Sequence, residues 1–334
     1  MSNELTRLNP EPVSIGAIAN AYAEAQTFPT YQERLARYTV RRQKSELSTF
    51  ARYLTAAGLP RSTEELHTSP AAWSDMTHGL VDGFVRYLLQ QGYAIGSVNL
   101  HLSTVKVYCT LAARAGCLSV QEVALIRMQQ GFSHRQGLNV DEKREKSRRG
   151  HKKAEPILVS LEQADQLKGQ PDTPQGRRDA FLMCLLLDHG LRCSELATLL
   201  ITDVSADTGL LHFYRKKVDK QQIHELTPDT RLSLQRYLEV AEPSHHLFMG
   251  SRKGGQLVGR MSERAITARV GCLCERVGVE GASAHDGRHA WATFAVAAGT
   301  DIKALQDAGG WNSPVMPLRY AASASIANRG VKFR

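Results

Sequence analysis

No CxxC pair occurs among the six cysteines, at positions 109, 117, 184, 193, 272 and 274, and their wide spacing gives no disulfide framework. A reducing, cytoplasmic setting is the expectation. Long apolar runs are also missing. The longest, Ala180 to Leu187, has eight residues, far short of the roughly 20 that span a bilayer, which excludes a membrane helix. The opening MSNELTRLNPEP has no apolar core behind a basic start, so no secretion signal is expected. No internal repeat or low-complexity tract appears. Hydrophobic content of 42% and charged content of 22% exclude wholesale disorder, and 334 residues suit about two domains.

The charge is uneven. With 42 basic and 33 acidic residues the chain carries +9, which favours polyanionic partners. Residues 1–131 contribute +2, residues 132–155 contribute +4 and residues 156–334 contribute +3. The middle segment, with NVDEKREKSRRGHKKAEP at its centre, has almost no apolar side chains and reads as an exposed basic linker. Its Arg148, Arg149, Lys152 and Lys153 suit either a solvated tether or contacts to a DNA backbone.

Before the linker the pattern is helical. Ile15, Ile18, Ala19 and Tyr22 follow Ser14 as a helix cap. Phe50, Tyr53 and Leu54 end at Gly58, Phe84 to Leu89 end at Gly92, and Val98 to Ala112 end at Gly116. Four or five helices in a compact bundle are predicted. After the linker, Ser160 caps a helix with Glu162 or Gln163, and Phe181 to Leu187 reads as a buried helix. Leu210–Arg215 and Gln222–Leu226 flank Val218-Asp219-Lys220 as a hairpin, and helices resume from Ser262. That half is α+β with a small antiparallel sheet.

Five polar groupings stand out on this ground: GLRCSEL (190–196), YRKKVDK (214–220), HDGRH (285–289), GGW (309–311) and Tyr320. Arg192 has Glu195 three residues on as a partner, an arrangement that is often purely structural. On a helix His285 and Arg288 share a face, while His285 and His289 have the i, i+4 spacing of a zinc pair. Asp286 stands where a metal hydrolase would place its glutamate, and Arg288 would set a positive charge beside the cation. No metal site is expected.

In order, spacing and residue type these groups resemble the tyrosine recombinase, or phage integrase, family, whose signature runs Arg, Lys, His-x-x-Arg, His or Trp, Tyr. Trp311 precedes Tyr320 by nine residues, the family's interval. The resemblance covers the second half and, more loosely, the first, where GYAIGSVNLHLSTVKVYCTLAARAG (92–116) looks like the end of the family's core-binding domain. It departs from the family at Gly287, usually Leu, and His189, often Thr.

The resemblance implies an all-α, SAM-like core-binding domain (1–131), a basic linker (132–155) and an α+β catalytic domain (156–334), closing as a C-shaped clamp on duplex DNA. It implies that Arg192, Arg288, His285 and Trp311 hold one DNA phosphate, with Glu195 and His289 in support. Tyr320 would attack it, giving a 3′-phosphotyrosine, and a hairpin lysine would protonate the leaving 5′ oxygen. Aligning Ile223 to Leu226 with the closing strand selects Lys217, with Lys216 the alternative, since neighbours on a strand face opposite ways. No cofactor is implied. The implied partners are a double-stranded recombination site, a homotetramer in synapsis and accessory DNA-bending or directionality proteins, with no membrane. A type IB topoisomerase would share the chemistry.

Overall fold

The computed structural model describes residues 14–149, 157–216, 218–252 and 254–324, with side chains as far as residue 321. The chain forms two compact units, 1–152 and 153–334. Among the described residues no helix is long and apolar enough to cross a membrane.

The first unit is all-helical. Its two longest helices, Arg37–Ala56 and Ile95–Arg114, have 20 residues each and carry most of the core. Val98, Leu102, Val105, Tyr108, Leu111 and Ala112 recur at helical spacing and are all buried. They meet Phe28, Leu47, Phe50 and Leu54, with Phe84 and Leu88 from the helix His78–Gln90. Trp73 lies between the rings of Phe50 (centroids 5.6 Å apart) and Tyr108 (5.7 Å). Its indole N–H donates to the Leu66 carbonyl at 3.0 Å, so its burial leaves no unmet donor.

Three features differ from the expectation. The unit has eight α-helices among its described residues, more than the four or five predicted, because short ones at 27–33, 63–68, 120–128 and 134–141 carry too few residues to show a period. The first helix, Ile15–Ala25, forms on the Ser14 cap, but its apolar Ile15, Ile18 and Tyr22 stay exposed. The segment read as a bare linker from 132 is structured in its first half. Ser133 and Gln136 make a capping box for the helix His134–Asp141, and Arg144 donates to the carbonyls of Leu89 (3.3 Å) and Tyr93 (2.9 Å).

The second unit is built round the helix Pro174–Leu187, whose stretch Phe181 to Leu187 is buried throughout. Thr173 caps it and Pro174 occupies its first turn, where a missing N–H costs nothing. Ser160 caps the preceding helix Leu161–Lys168 in a box completed by Gln163. Val204–Ser205, Leu210–Arg215 and Lys220–Glu225 form an antiparallel sheet in that order, with Leu210 paired to Glu225 and Arg215 to Lys220. A two-stranded ribbon, Met249–Ser251 with Leu257–Arg260, follows the helix Pro228–Leu238. Four helices follow among the described residues: Glu263–Arg276, Ala284–Ala297, Ile302–Gly309 and Val315–Ala324.

Candidate active site

The end of the buried helix Pro174–Leu187 sets the first arginine. After it Gly190 turns with φ 61°, and an added Cβ would stand 2.2 Å from the Trp291 ring, so the turn requires glycine. Arg192 then precedes the single turn Cys193–Leu196. Glu195 reaches back, accepting from the Arg192 backbone N–H at 2.8 Å and from its guanidinium at 2.7 Å. The Arg192 side chain keeps 21% exposure and opens onto a cleft of about 430 Å³ that Lys216 also lines.

The second arginine comes from the helix Ala284–Ala297. Asp286 fixes the start of that helix by accepting from the backbone N–H and hydroxyl of Ser283, at 2.8 and 2.6 Å, and from the Ile157 N–H at 2.9 Å. Asp286 is thereby a structural anchor. Arg288, only 2% exposed, donates to the carbonyls of Gly190 and Gly309. Its guanidinium carbon lies 4.6 Å from the centre of the Trp311 ring. Burial, reinforced by Arg192 and Arg215, pushes its pKa down to about 9.

Tyr320 projects from the helix Val315–Ala324 and is 6% exposed. Its ring centroid is 5.8 Å from that of Trp311 and 5.3 Å from that of His289. His289 in turn meets the exposed His285 edge to face at 4.5 Å. Burial raises the Tyr320 pKa, while Arg288, Arg192 and Arg319 pull it down. The His289 pKa is lowered, first by burial and then by His285.

The structure therefore brings Arg192, Arg288, His285, Trp311 and Tyr320 to one place in one chain, with Glu195 and His289 beside them. Lys217, like Lys152 and Lys153, lies outside the described residues. Lys216 is exposed in the turn just past the strand Leu210–Arg215. Arg149 is held against Tyr93, its guanidinium carbon 5.4 Å from the ring centre, and Arg148 also has a partner. Among the described residues no third His, Cys, Asp or Glu joins His285 and His289 in a metal-holding group.

Sequence reading missed Arg215. It is fully buried and shares the Glu195 carboxylate with Arg192, at 3.1 and 2.9 Å to the two oxygens. The signal was its phase: Leu211, Phe213 and Arg215 alternate onto the buried face, while Tyr214 faces out. Behind the hairpin, His189 and His224 lie 5.7 Å apart, His189 against the Thr230 hydroxyl at 3.1 Å. Burial pushes their pKa values down to about 4 and about 3.

Residues 158–325 match the phage integrase family, and the chain belongs to it. It is 30% identical over 183 residues to tyrosine recombinase XerD of Neisseria meningitidis serogroup B, covering 53% of this chain and 62% of that protein, less than two thirds of its length. It is 24% identical over 273 residues to tyrosine recombinase XerA of Pyrococcus horikoshii, covering 78% of this chain and 83% of the relative. In fold it is similar to a lambda integrase dimer bound to a COC′ core site (TM-score 0.62, 14% identity, 94% of this chain and 97% of that one). A Tn1549 transposon integrase in complex with transposon right end DNA is equally similar (TM-score 0.62, 15% identity, 92% and 96%).

Proposed function

We propose that this protein is a site-specific DNA recombinase, cutting and rejoining strands through a 3′-phosphotyrosine and a Holliday junction. One observation carries the reading: Tyr320 lies against Trp311 in the same chain, and the Arg288 guanidinium lies over that same indole. Family membership supports it.

In this mechanism Arg192 and Arg288 grip the non-bridging oxygens of one phosphate, for which guanidinium forks suit in charge and shape. His285 and the Trp311 indole N–H complete the cage. The Tyr320 oxygen bonds to phosphorus as its proton leaves, and the bond from phosphorus to the 5′ oxygen breaks. Lys217, with Lys216 as the alternative, donates the proton that the 5′ oxygen needs. The phosphodiester energy is conserved in the new ester, so rejoining by a 5′ hydroxyl needs no cofactor.

The boundaries 1–131, 132–155 and 156–334 are proposed as core-binding domain, linker and catalytic domain. Four protomers on two sites, in the DNA-associated cytoplasm, form the working assembly, with accessory bending or directionality proteins where the site requires them. A mobile element or replicon is the substrate, by integration, excision or resolution. The test is a nicked suicide duplex carrying the protein's own site. Tyr320→Phe should bind it and form no covalent adduct; an adduct persisting in Tyr320→Phe refutes the nucleophile. Relaxation of supercoiled DNA without strand exchange would assign the chemistry to a topoisomerase instead.

A further inference from the structure

Arg215 is fully buried beside the site, and its one guanidinium ties together three separate stretches of chain. Its Nη1 donates to both oxygens of Glu195, the carboxylate that also holds Arg192. Its Nη2 donates to the Ala308 carbonyl at 2.8 Å, one residue before the Gly309 carbonyl that accepts from Arg288. Its Nε donates to Gln222 across the hairpin, and Gln222 donates onward to the Asp307 carbonyl. Phe213 covers one side of the group, its ring centre 4.7 Å from the guanidinium carbon.

The turn that carries Trp311 is built over this side chain. Gly310 takes φ 59°, and a Cβ there would stand 2.4 Å from Cδ of Arg215 and 3.3 Å from the Gln222 carboxamide oxygen. The glycine lets the backbone pass directly across the guanidinium. A buried cation is retained at a cost that only good geometry offsets. Here all its nitrogens are matched to acceptors on elements that must keep a fixed separation.

We propose that Arg215 is a positioning residue, holding Arg192 through Glu195 and the Trp311 turn through Ala308, so that the two phosphate-gripping groups stay in register. The proposal rests on the recombinase reading. It also separates the role of Arg215 from that of the hairpin lysine proposed to protonate the leaving oxygen.

The test is Arg215→Lys, which keeps the charge and loses the fork, in single-turnover cleavage of the suicide duplex. Site binding should be retained and cleavage should slow about 10²-fold, the scale that a misplacement of about 1 Å costs. The same duplex with a bridging 5′ sulfur has a leaving group that needs no proton donor. The defect should persist on it, because the fault lies in gripping the phosphate. A wild-type rate on the ordinary duplex, or recovery on the sulfur duplex, overturns the proposal. If Arg215→Lys fails to fold, Gln222→Met decides by the same two readouts. Failure of the wild-type protein itself to form an adduct would count against the recombinase reading, not against this one.

Discussion

Arg288 and Trp311, 23 positions apart in the chain, are joined as a cation over an indole at 4.6 Å, on the ring that also borders Tyr320. The guanidinium is thus held beside the phenol by packing as well as by the Gly190 and Gly309 carbonyls. Burial raises the Tyr320 pKa, and Arg288, with Arg192 and Arg319, works against that rise, as the proposed attack by a phenol at neutral pH needs.

The proposed mechanism gives Lys217 the proton and keeps Lys216 as the alternative. Lys216, just past the strand Leu210–Arg215, lines with Tyr214 the cleft onto which Arg192 opens, so kinetics must separate the two lysines. Lys217→Ala should slow cleavage of the ordinary duplex by about 10²–10⁴-fold, the usual worth of a proton donor, and a 5′ sulfur leaving group should restore it. Lys216→Ala should leave the rate nearly unchanged. The reverse pattern in single-turnover kinetics would transfer the role to Lys216.

Acid should destabilise the second unit through His189 and His224. Both have folded pKa values, about 4 and about 3, below the ordinary 6.5, so the unfolded chain takes up their protons first as the pH falls. Their contribution to stability is complete above about pH 6.5 and is lost on descending toward 4. Each uncompensated proton contributes a slope of about 1.4 kcal/mol per pH unit. Urea denaturation between pH 7 and pH 4 should show this fall, and His224→Asn should flatten it. An unchanged slope in His224→Asn would remove that histidine from the explanation.

Salt dependence tests the basic segment. Each phosphate contact adds about 0.9 to the slope of log K against log salt. Replacing Arg148, Arg149, Lys152 and Lys153 by Gln should lower that slope by about 2–4 if they lie on the backbone. Titration at several salt concentrations reads it directly, and an unchanged slope makes the segment a solvated tether.

Much of this was legible because local rules and the final fold agree. The stripe Val98 to Ala112 and the run Phe181 to Leu187 both name buried helix faces, and Gly58, Gly92 and Gly116 lie just past the ends of their helices. The site groupings were legible as residue types at fixed intervals. Arg215 was not recognised, since a charged side chain on a strand reads as solvated and its partners Glu195 and Ala308 are distant in sequence. The helix at 134–141 was hidden for a similar reason. What anchors the segment is Arg144 on the Leu89 and Tyr93 carbonyls, and composition carries no trace of such acceptors. The opposite error occurs at Ile15, Ile18 and Tyr22, where periodicity correctly gives a helix but not its burial.

The central claim is tested most directly by trapping the covalent complex on the suicide duplex, digesting it, and locating by mass spectrometry the peptide that carries the nucleotide. The expected result is a 3′-linked nucleotide on Tyr320. A nucleotide attached to any other side chain, or joined through its 5′ end, would contradict the mechanism.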